Sequence, residues 1–488
     1  MVARRGFACG LALALSVVPA HADDDDQDQD DPPRIGVALT ESITFQAIIA
    51  ALYWHQTYEE NVDADLHWDI PSWADKLSFD AVRFDTNPFY MNAVRHPLMS
   101  IVHYQIGRTN GLGMLGSTLL SSAQAVLWEY LIEFREYPSI NDLIVSSFSG
   151  LEIGEPLWQI GQLWRGGVLT VGDRVKTTLF SPFDGAHDAV RTRQTKWWRP
   201  RAWRTIAFDA GGLRRRLDDA EARTEFVIGG DIDVVNDPRY VSPGPQHHRI
   251  RPGTWSRIRG RLSLGDAGSS TEIVGVQVAS RTSIVGDYQH DADGDGRFFG
   301  LGAGFTYHRD RLADAWDHVA IFHLLGPQLQ LARRTPGLAL RWDVAMYGDF
   351  ALIDAHVFSP TPPFPRPPPY VSTIQANGYY DGAGVSVASR LRFETTSWSL
   401  DAEVDGHRIW QLDFGDRVQD VEARSTTGLA NAHGVSDVRL YWRAQLGYRV
   451  GRFGIAGTVE GSHLRSSWED LEQQSSLSAV GLLARVDL

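Results

Sequence analysis

The chain of 488 residues contains a single cysteine, Cys9. It lies within the first 22 residues, MVARRGFACGLALALSVVPAHA, where two arginines precede an apolar run that ends in the small residues of Ala20-His21-Ala22. This pattern predicts a signal peptide over residues 1–22, which would export the chain. The mature chain would then hold no thiol, which excludes disulfides, thiolate metal ligands and cysteine nucleophiles.

An excess of basic residues is also missing, since 46 lysines and arginines stand against 60 aspartates and glutamates. Nucleic acid is bound by a basic surface, so it is not an expected partner of a chain with net charge −14. The patterns HExxH, GxSxG and the phosphate-binding P-loop do not occur. No familiar catalytic signature therefore identifies an activity.

What the sequence does contain, from about Trp203 onward, is an alternation of apolar and polar residues. Residues 437–450, DVRLYWRAQLGYRV, place valine, leucine and tryptophan on one face and charges of both signs on the other. Such a charged face suits a wet lumen, and the apolar face suits lipid. We therefore predict an all-β transmembrane barrel of roughly 12 antiparallel strands over residues 166–488. The alternation continues through residues 480–488, which predicts a last strand that closes the barrel against the first.

The residues before the barrel have a different pattern. Residues 23–33, DDDDQDQDDPP, predict a disordered acidic tail because like charges repel and bury nothing. Residues 34–165 predict an α-helical region with helices over 40–57, 97–108 and 113–136, and a short one that closes near Gly150. We expect this region to plug or cap the periplasmic side of the barrel. Residues 359–370, rich in proline, predict a stiff loop outside the membrane.

A set of residues within the helical region carries a resemblance. The set is Asn87, Pro88, Arg95, His96, Pro97, Tyr104, Arg108, Trp128, Glu129, Glu133, Pro138, Ser139, Asp142, Gly150, Gly154 and Glu155. With these residues, the stretch from about 60 to 165 resembles the bacterial domain of unknown function 3943 family. The resemblance implies an outer-membrane location and supplies no reaction, so it assigns no catalytic residue.

Two carboxylates stand out as candidates for chemistry. Glu129 and Glu133 are four residues apart and share one face of the predicted helix. In a site of low dielectric constant they would share a proton or recruit a divalent cation, with His96 or His103 completing the site. The alternative is that both glutamates pair with arginines and only anchor the helices. No organic cofactor is predicted.

A second, weaker metal candidate is the sequence Asp291-x-Asp293-x-Asp295-Gly296, which has the opening of a calcium loop. Its twelfth position is Gly302 in place of the usual bidentate carboxylate. An acidic hairpin loop is the competing interpretation.

These patterns lead to three functional hypotheses for a protein in the outer membrane of a Gram-negative-type bacterium. The first is a pore, transporter or envelope-organising barrel with a helical plug, in contact with outer-membrane lipid and with an unknown small solute. The second is an envelope lipid-modifying enzyme that uses Glu129, Glu133 and a histidine. The third makes the helical region a docking module for a periplasmic protein.

Overall fold

The computed structural model describes residues 32–59, 73–79, 81–82, 84, 87–134, 136–165, 169–190, 203–218, 221–237, 239–240, 244–266, 271–292, 295–312, 315–354, 379–412, 434–468 and 471–488. The predicted signal peptide, nearly all of the acidic tail, the proline-rich loop and Asp293 lie outside these residues. Residues 34–488 form one compact unit.

Helices occupy the first part of this unit. In the described residues they are α1 Ile35–Glu59, α2 Trp73–Leu77, α3 His96–Thr109, α4 Met114–Leu127, α5 Ile140–Ser149, α6 Glu155–Gln162, α7 Val171–Phe180 and α8 Pro182–Val190. π-helical turns at Met91–Arg95, Trp128–Ile132 and Gly150–Gly154 adjoin α3, α4 and α6. Helices continue to Val190 and the first strand begins at Trp203, so the change from helix to strand falls later than the predicted boundary at 165/166.

Local sequence accounts for several helix ends. Pro97 stands in the first turn of α3, where its missing N–H costs no helical hydrogen bond. Gly111 follows α3 with a φ of +84°, a conformation that glycine adopts without strain. The side chain of Ser139 accepts the Asp142 amide at 3.2 Å and caps α5, as the sequence pattern predicts.

Antiparallel strands form the rest of the unit. They are β1 Trp203–Leu217, β2 Arg223–Val235, β3 Gln246–Ile250, β4 Trp255–Asp266, β5 Thr271–His290, β6 Asp295–Leu312, β7 Ala315–Thr335, β8 Leu338–Asp354, β9 Tyr380–Thr395, β10 Trp398–Gln411, β11 Ser436–Val450, β12 Phe453–Trp468 and β13 Leu471–Asp487. Both β3 and β4 pair with β5 and lie end to end along it. The thirteen strands therefore occupy twelve positions around the barrel wall. This agrees with the predicted number of roughly 12.

The barrel is closed, and its closing seam is the predicted one. β13 pairs with β1 over eleven residues, from Ala207 opposite Asp487 to Leu217 opposite Leu477. Trp203 and Leu488 therefore lie at the same end, which we call the terminal end. The opposite end, called the loop end, carries the connections from β8 to β9 and from β10 to β11.

The lumen is identified by ion pairs between strands that are not neighbours. Arg439 on β11 pairs with Asp317 on β7, and Arg257 on β4 pairs with Glu403 on β10. Side chains on strands that are so far apart in the wall can meet only inside the barrel. Because successive residues of a strand point to opposite faces, these pairs fix which residues face outward.

The helices pack on the outside of the barrel wall. Phe322 of β7 and Phe350 of β8, next to the lumenal His323 and Asp349, form one buried cluster with Ile144 and Val145 of α5. Near the terminal end, Ile160 of α6 packs in the same way on outward residues of β1 and β2. The described helices therefore lie beside the lumen and not in it, which corrects the predicted plug. We call residues 34–190 the helical layer.

Candidate functional site

The centre of the helical layer is a buried group around Tyr104. The Tyr104 hydroxyl donates to Glu155 Oε2 at 2.7 Å, and Arg108 Nε lies 2.9 Å from the same oxygen. Gln159 Nε2 donates to Glu155 Oε1 at 2.7 Å. Burial and the adjacent Glu155 carboxylate raise the pKa of Tyr104 well above its usual value. At neutral pH the tyrosine is therefore a neutral donor to Glu155.

Two glycines make room for this tyrosine. A Cβ on Gly150 would lie 2.7 Å from Tyr104 Cβ, and one on Gly154 would lie 3.1 Å from its ring. Gly150 and Gly154 bound the π-helical turn that precedes α6, so the turn presents a flat surface to the ring. Four of the residues that carry the family resemblance thus surround Tyr104, namely Gly150, Gly154, Arg108 and Glu155.

This buried group also touches the barrel. Gly253, in the connection from β3 to β4, has a φ of +77°, and a Cβ there would lie 2.0 Å from Glu155 Oε1. Gln159 Oε1 accepts a hydrogen bond from Asn236 Nδ2 at 2.6 Å, just after β2. The group around Tyr104 therefore fastens the helical layer to the terminal end of the barrel.

Glu152 is a second acidic residue at the interface, and the sequence patterns did not single it out. Its side chain is fully buried, and neither carboxylate oxygen has a hydrogen-bond partner among the described residues. Burial raises the pKa of Glu152 well above its usual value, and the Asp349 carboxylate raises it further. Both effects favour the neutral, protonated form of the Glu152 carboxyl group.

The barrel wall is irregular where Glu152 lies. Register shifts interrupt the β5–β6, β6–β7 and β7–β8 ladders next to Ser283, Gly302 and His323. Such bulges bend a strand and redirect its side chains. Ser280 on β5 donates to the backbone oxygen of Glu152 at 2.6 Å and holds the π-helical turn against this part of the wall.

The two glutamates proposed for chemistry have separate local roles. Glu129 Oε2 accepts the backbone amide of Ser139 at 2.7 Å, which fixes the start of α5. Glu133 Oε1 accepts the indole N–H of Trp128 at 2.7 Å. Lys76 donates to the backbone oxygens of Glu133 and Phe134. These contacts position the end of α4 and its π-helical turn.

The two candidate histidines lie in different surroundings. His103 is buried between Ser42 Oγ at 2.7 Å and Gln46 Oε1 at 2.8 Å, both on α1. Burial lowers the pKa of His103 to about 4, so it is neutral at physiological pH. His96 lies 3.6 Å from Asp142. In the part of the chain that the structure describes, no three His, Asp or Glu side chains form a group able to hold a metal ion.

The other residues of the resembling set have structural contacts. The Asn87 backbone oxygen accepts the Tyr379 hydroxyl at 2.5 Å, while Arg95 lies over the Tyr90 ring. The Pro88 oxygen accepts the amide of Met91. The hydrogen bond from Tyr379 attaches this part of the helical layer near the loop end of the barrel, and the other two contacts lie within the layer.

The calcium-loop candidate behaves as a hairpin. Asp291 Oδ1 accepts the amide of Asp295 at 2.9 Å, and Arg333 lies 3.6 Å from the Asp295 carboxylate. Gly302 lies within β6 and pairs with Gly326 on β7. Both described aspartates therefore take part in the turn between β5 and β6.

The lumen is filled by a lattice of ion pairs. The cross-lumen pairs include Arg439–Asp317, Arg257–Glu403, Arg215–Asp310, Arg281–Asp405, Arg390–Asp231 and Arg341–Asp233. Arg439 and Asp317 are almost completely buried, and their two hydrogen bonds measure 2.5 and 2.9 Å. Two parallel bonds between a guanidinium and a carboxylate are strong and directional. The lattice therefore cross-links opposite sides of the barrel.

Toward the loop end the lumen becomes apolar. Seven buried residues form one cluster: Val319, Ile321, Ala351, Ile353, Tyr380, Ile409 and Val435. They alternate with outward residues and so face the lumen. Beneath them, His323 Nδ1 contacts Asp349 Oδ1 at 2.7 Å, and Ser386 Oγ contacts His407 Nδ1 at 2.6 Å. This end of the lumen therefore holds a packed apolar cluster, with a buried polar cluster below it.

The outer face of the barrel is apolar and exposed wherever the helical layer does not cover it. Trp342, Met346, Val387, Trp442, Leu446, Val480 and Leu482 are all exposed there. The helical layer covers part of the outer face of β1, β2 and β4 to β8. Its own outward side chains are apolar as well: Ile35, Ile43, Ile48 and Leu52 on α1, and Leu115, Leu119 and Val126 on α4. The apolar surface thus continues from the barrel onto the helices.

A comparison with family models confirms the resemblance found in the sequence. Residues 81–183 match the model described as "Domain of unknown function (DUF3943)". The match spans α3 to α7 and includes the Tyr104 group and Glu152. A comparison with curated proteins gave no match.

Several solved structures are similar to the barrel. They include a deletion mutant of the monoaromatic hydrocarbon channel TodX, at 7% identity, 58% of this chain and 89% of that chain, with a TM-score of 0.22. The outer-membrane channel DcaP of Acinetobacter baumannii is 10% identical over 59% of this chain and 97% of that chain, with a TM-score of 0.19. The translocator domain of the autotransporter NalP from Neisseria meningitidis is 10% identical over 57% of this chain and 88% of that chain, with a TM-score of 0.19.

Proposed function

We propose that the protein is an outer-membrane barrel that organises the envelope by holding the helical layer within the bilayer, against its outer wall. The observation that carries the proposal is the position of the helices. They cover outward, apolar residues of the wall, such as Phe322 and Phe350, while the lumen beside them is filled by ion pairs. A barrel whose lumen is filled by ion pairs and whose outer wall carries helices is suited to a function at its lipid-facing surface.

Acyl chains are the partner that the outward face of the helical layer fits. In a transmembrane barrel, an exposed apolar outer face is the surface that meets lipid. Leu119 on α4, 47% exposed, and Ile48 on α1, 54% exposed, continue that surface around the helices. Exposure of a continuous apolar surface of this kind to water costs free energy, whereas contact with hydrocarbon does not.

The first helix supports the same arrangement. Its residues Ile35–His55 are long and apolar enough to cross a membrane. Their one acidic side chain, Glu41, turns inward to His187 at 2.6 Å and to Asn110 at 2.6 Å. With that carboxylate satisfied inside the layer, the outward face of α1 presents aliphatic side chains to its surroundings.

Gated passage of solute through the lumen is the second candidate function. One observation favours it: the lattice leaves a cavity of about 400 Å³ at the terminal end. Passage would require the lattice and the apolar cluster to rearrange, since both lie between this cavity and the loop end. The lipid-modifying and partner-docking hypotheses stay predictions.

Conductance in planar bilayers tests the proposal. The purified full chain should insert without giving steady open-channel current. The double variant Arg257→Ala/Arg439→Ala, which breaks the lattice, should conduct more than wild type. Sustained current from the wild-type protein would overturn the closed-lumen proposal and favour the second candidate.

A further inference from the structure

The cavity at the terminal end has the composition of an anion-binding site. It measures about 400 Å³ and is bordered by six arginines: Arg204, Arg334, Arg341, Arg392, Arg449 and Arg485. Among the described residues, the acidic side chains that line it are Glu394 and Asp487. Cavities of roughly 300–1,000 Å³ are the usual size for small-molecule ligands.

The arginines reach the cavity from different strands. Arg334 lies on β7, Arg341 on β8, Arg392 on β9, Arg449 on β11 and Arg485 on β13. Strand alternation points all five into the lumen. The wall of the barrel therefore holds the guanidinium groups close together, although like charges repel. An anion in the cavity would relieve that repulsion.

Local carboxylates do not fully neutralise this group. Arg392 is 7% exposed, and its Nη1 has no hydrogen-bond partner among the described residues. The carboxylates nearest to Arg392 are Asp231 at 3.6 Å and Asp233 and Asp401 at 3.9 Å, all beyond hydrogen-bond distance. A buried guanidinium N–H without an acceptor is costly, and a ligand oxygen would satisfy it.

At the aromatic edge of the cavity, Arg334 is available to bind a ligand. The Arg334 guanidinium lies 5.2 Å from the ring of Trp203 and 5.6 Å from that of Tyr240. Stacking on these rings restricts the side chain, and its N–H groups have no hydrogen-bond acceptor within the described part of the chain, so they can donate to a ligand. Arg341, also over Trp203, instead pairs with Asp233 at 2.8 Å.

We infer that this cavity binds a small phosphate-bearing anion, with Arg334 and Arg392 as its main donors. Guanidinium groups bind phosphate oxygens through paired hydrogen bonds, and an excess of them around one cavity suits a ligand with more than one negative charge. The phosphate comes either from a free solute or from a lipid headgroup, since the cavity also reaches the outward residues Ile206 and Leu340 at the rim. This site does not depend on whether the lumen conducts.

Binding of phosphate probes to the full chain tests the inference. Calorimetry in lipid-free detergent would use pyrophosphate, and nanodiscs of phosphatidylcholine with or without phosphatidic acid would supply the lipid probe. One saturable site is expected for at least one probe. Its affinity for that probe should fall about tenfold in Arg334→Gln and in Arg392→Gln. Arg465→Gln is the control, because Arg465 is half-exposed and pairs with Glu472 far from the cavity.

The two probes identify the source of the phosphate. Pyrophosphate binding in detergent indicates a free solute, whereas binding only in discs that contain phosphatidic acid indicates a headgroup. Saturable binding of neither probe, or equal affinity in Arg334→Gln, Arg465→Gln and wild type, would overturn the site. Arg334 is partly exposed, so its variant remains informative should the variant of the buried Arg392, Arg392→Gln, fail to fold.

Discussion

The Tyr104 hydroxyl donates a 2.7 Å hydrogen bond to Glu155 Oε2, and both side chains are completely buried. The bond joins α3 to the start of α6, the helix that contacts the outer face of β2 and β4. Tyr104 and Glu155 therefore link the interior of the helical layer to its attachment on the barrel.

Removal of this hydroxyl should destabilise the attachment. Tyr104→Phe leaves a buried carboxylate with one donor fewer, so we expect a loss of about 1–3 kcal/mol in unfolding free energy. Urea unfolding followed by tryptophan fluorescence would measure it. Tyr90→Phe, at a tyrosine that is 55% exposed, is the matched control and should change little. Equal effects of the two variants would contradict the assigned role of Tyr104.

Gly150→Ala should loosen the helical layer. The added methyl would lie 2.7 Å from Tyr104 Cβ, too close for a well-packed interior to accept without a shift. We expect faster release of the helical layer by trypsin, with the barrel left intact. Gly113→Ala is the control, since a Cβ there has nothing within 4 Å. The same cleavage rate in both variants would remove the packing argument.

Glu152→Gln should stabilise the protein at neutral pH and not at acidic pH. The folded state raises the pKa of Glu152, so the folded state binds a proton that the unfolded state releases above about pH 4.3. Unfolding free energy contributed by this group therefore falls as pH rises. The variant should gain stability at pH 7 and little at pH 4. A gain that does not depend on pH would argue against a buried, protonated Glu152.

The lattice makes a distinct prediction about single and double substitutions. Arg439→Leu alone leaves the Asp317 carboxylate buried without its main partner, which should cost about 3–5 kcal/mol. Replacement of both by leucine should recover part of that loss, because Asp317 is then no longer left as an unpaired charge, although Asp437 still loses its 3.1 Å contact with Arg439. Urea unfolding of the two single variants and the double variant gives the coupling energy. Additive losses would indicate that the two side chains do not interact.

The barrel could be predicted from sequence because its signal repeats every two residues. Val438, Leu440 and Trp442 alternate with charged neighbours, and the structure places the former outward and the latter in the lumen. Helix ends were also readable, since Ser139 and Asp142 form a local capping contact. Such features depend on neighbouring residues only.

The position of the helical layer could not be predicted in the same way. An apolar helix face looks the same in sequence whether it fills a lumen or covers a wall, and only contacts such as Ile144 with Phe322 decide between them. Glu152 escaped notice because its significance comes from bulges in strands more than 120 residues away. Glu129 and Glu133 looked more notable, yet their assigned contacts are with an amide and an indole close in sequence.

The central claim is that the helical layer lies in lipid against the outer wall of the barrel. Spin labels at Leu119→Cys on α4, in a Cys9→Ser background, would measure collision rates with oxygen and with a water-soluble nickel chelate in liposomes. Leu446→Cys, on the exposed outer face of β11, and Thr396→Cys, in the exposed turn after β9, are the lipid and water references. We predict that Leu119 matches Leu446, with oxygen access high and nickel access low. A Leu119 label as accessible to nickel as the label at Thr396 would contradict the claim.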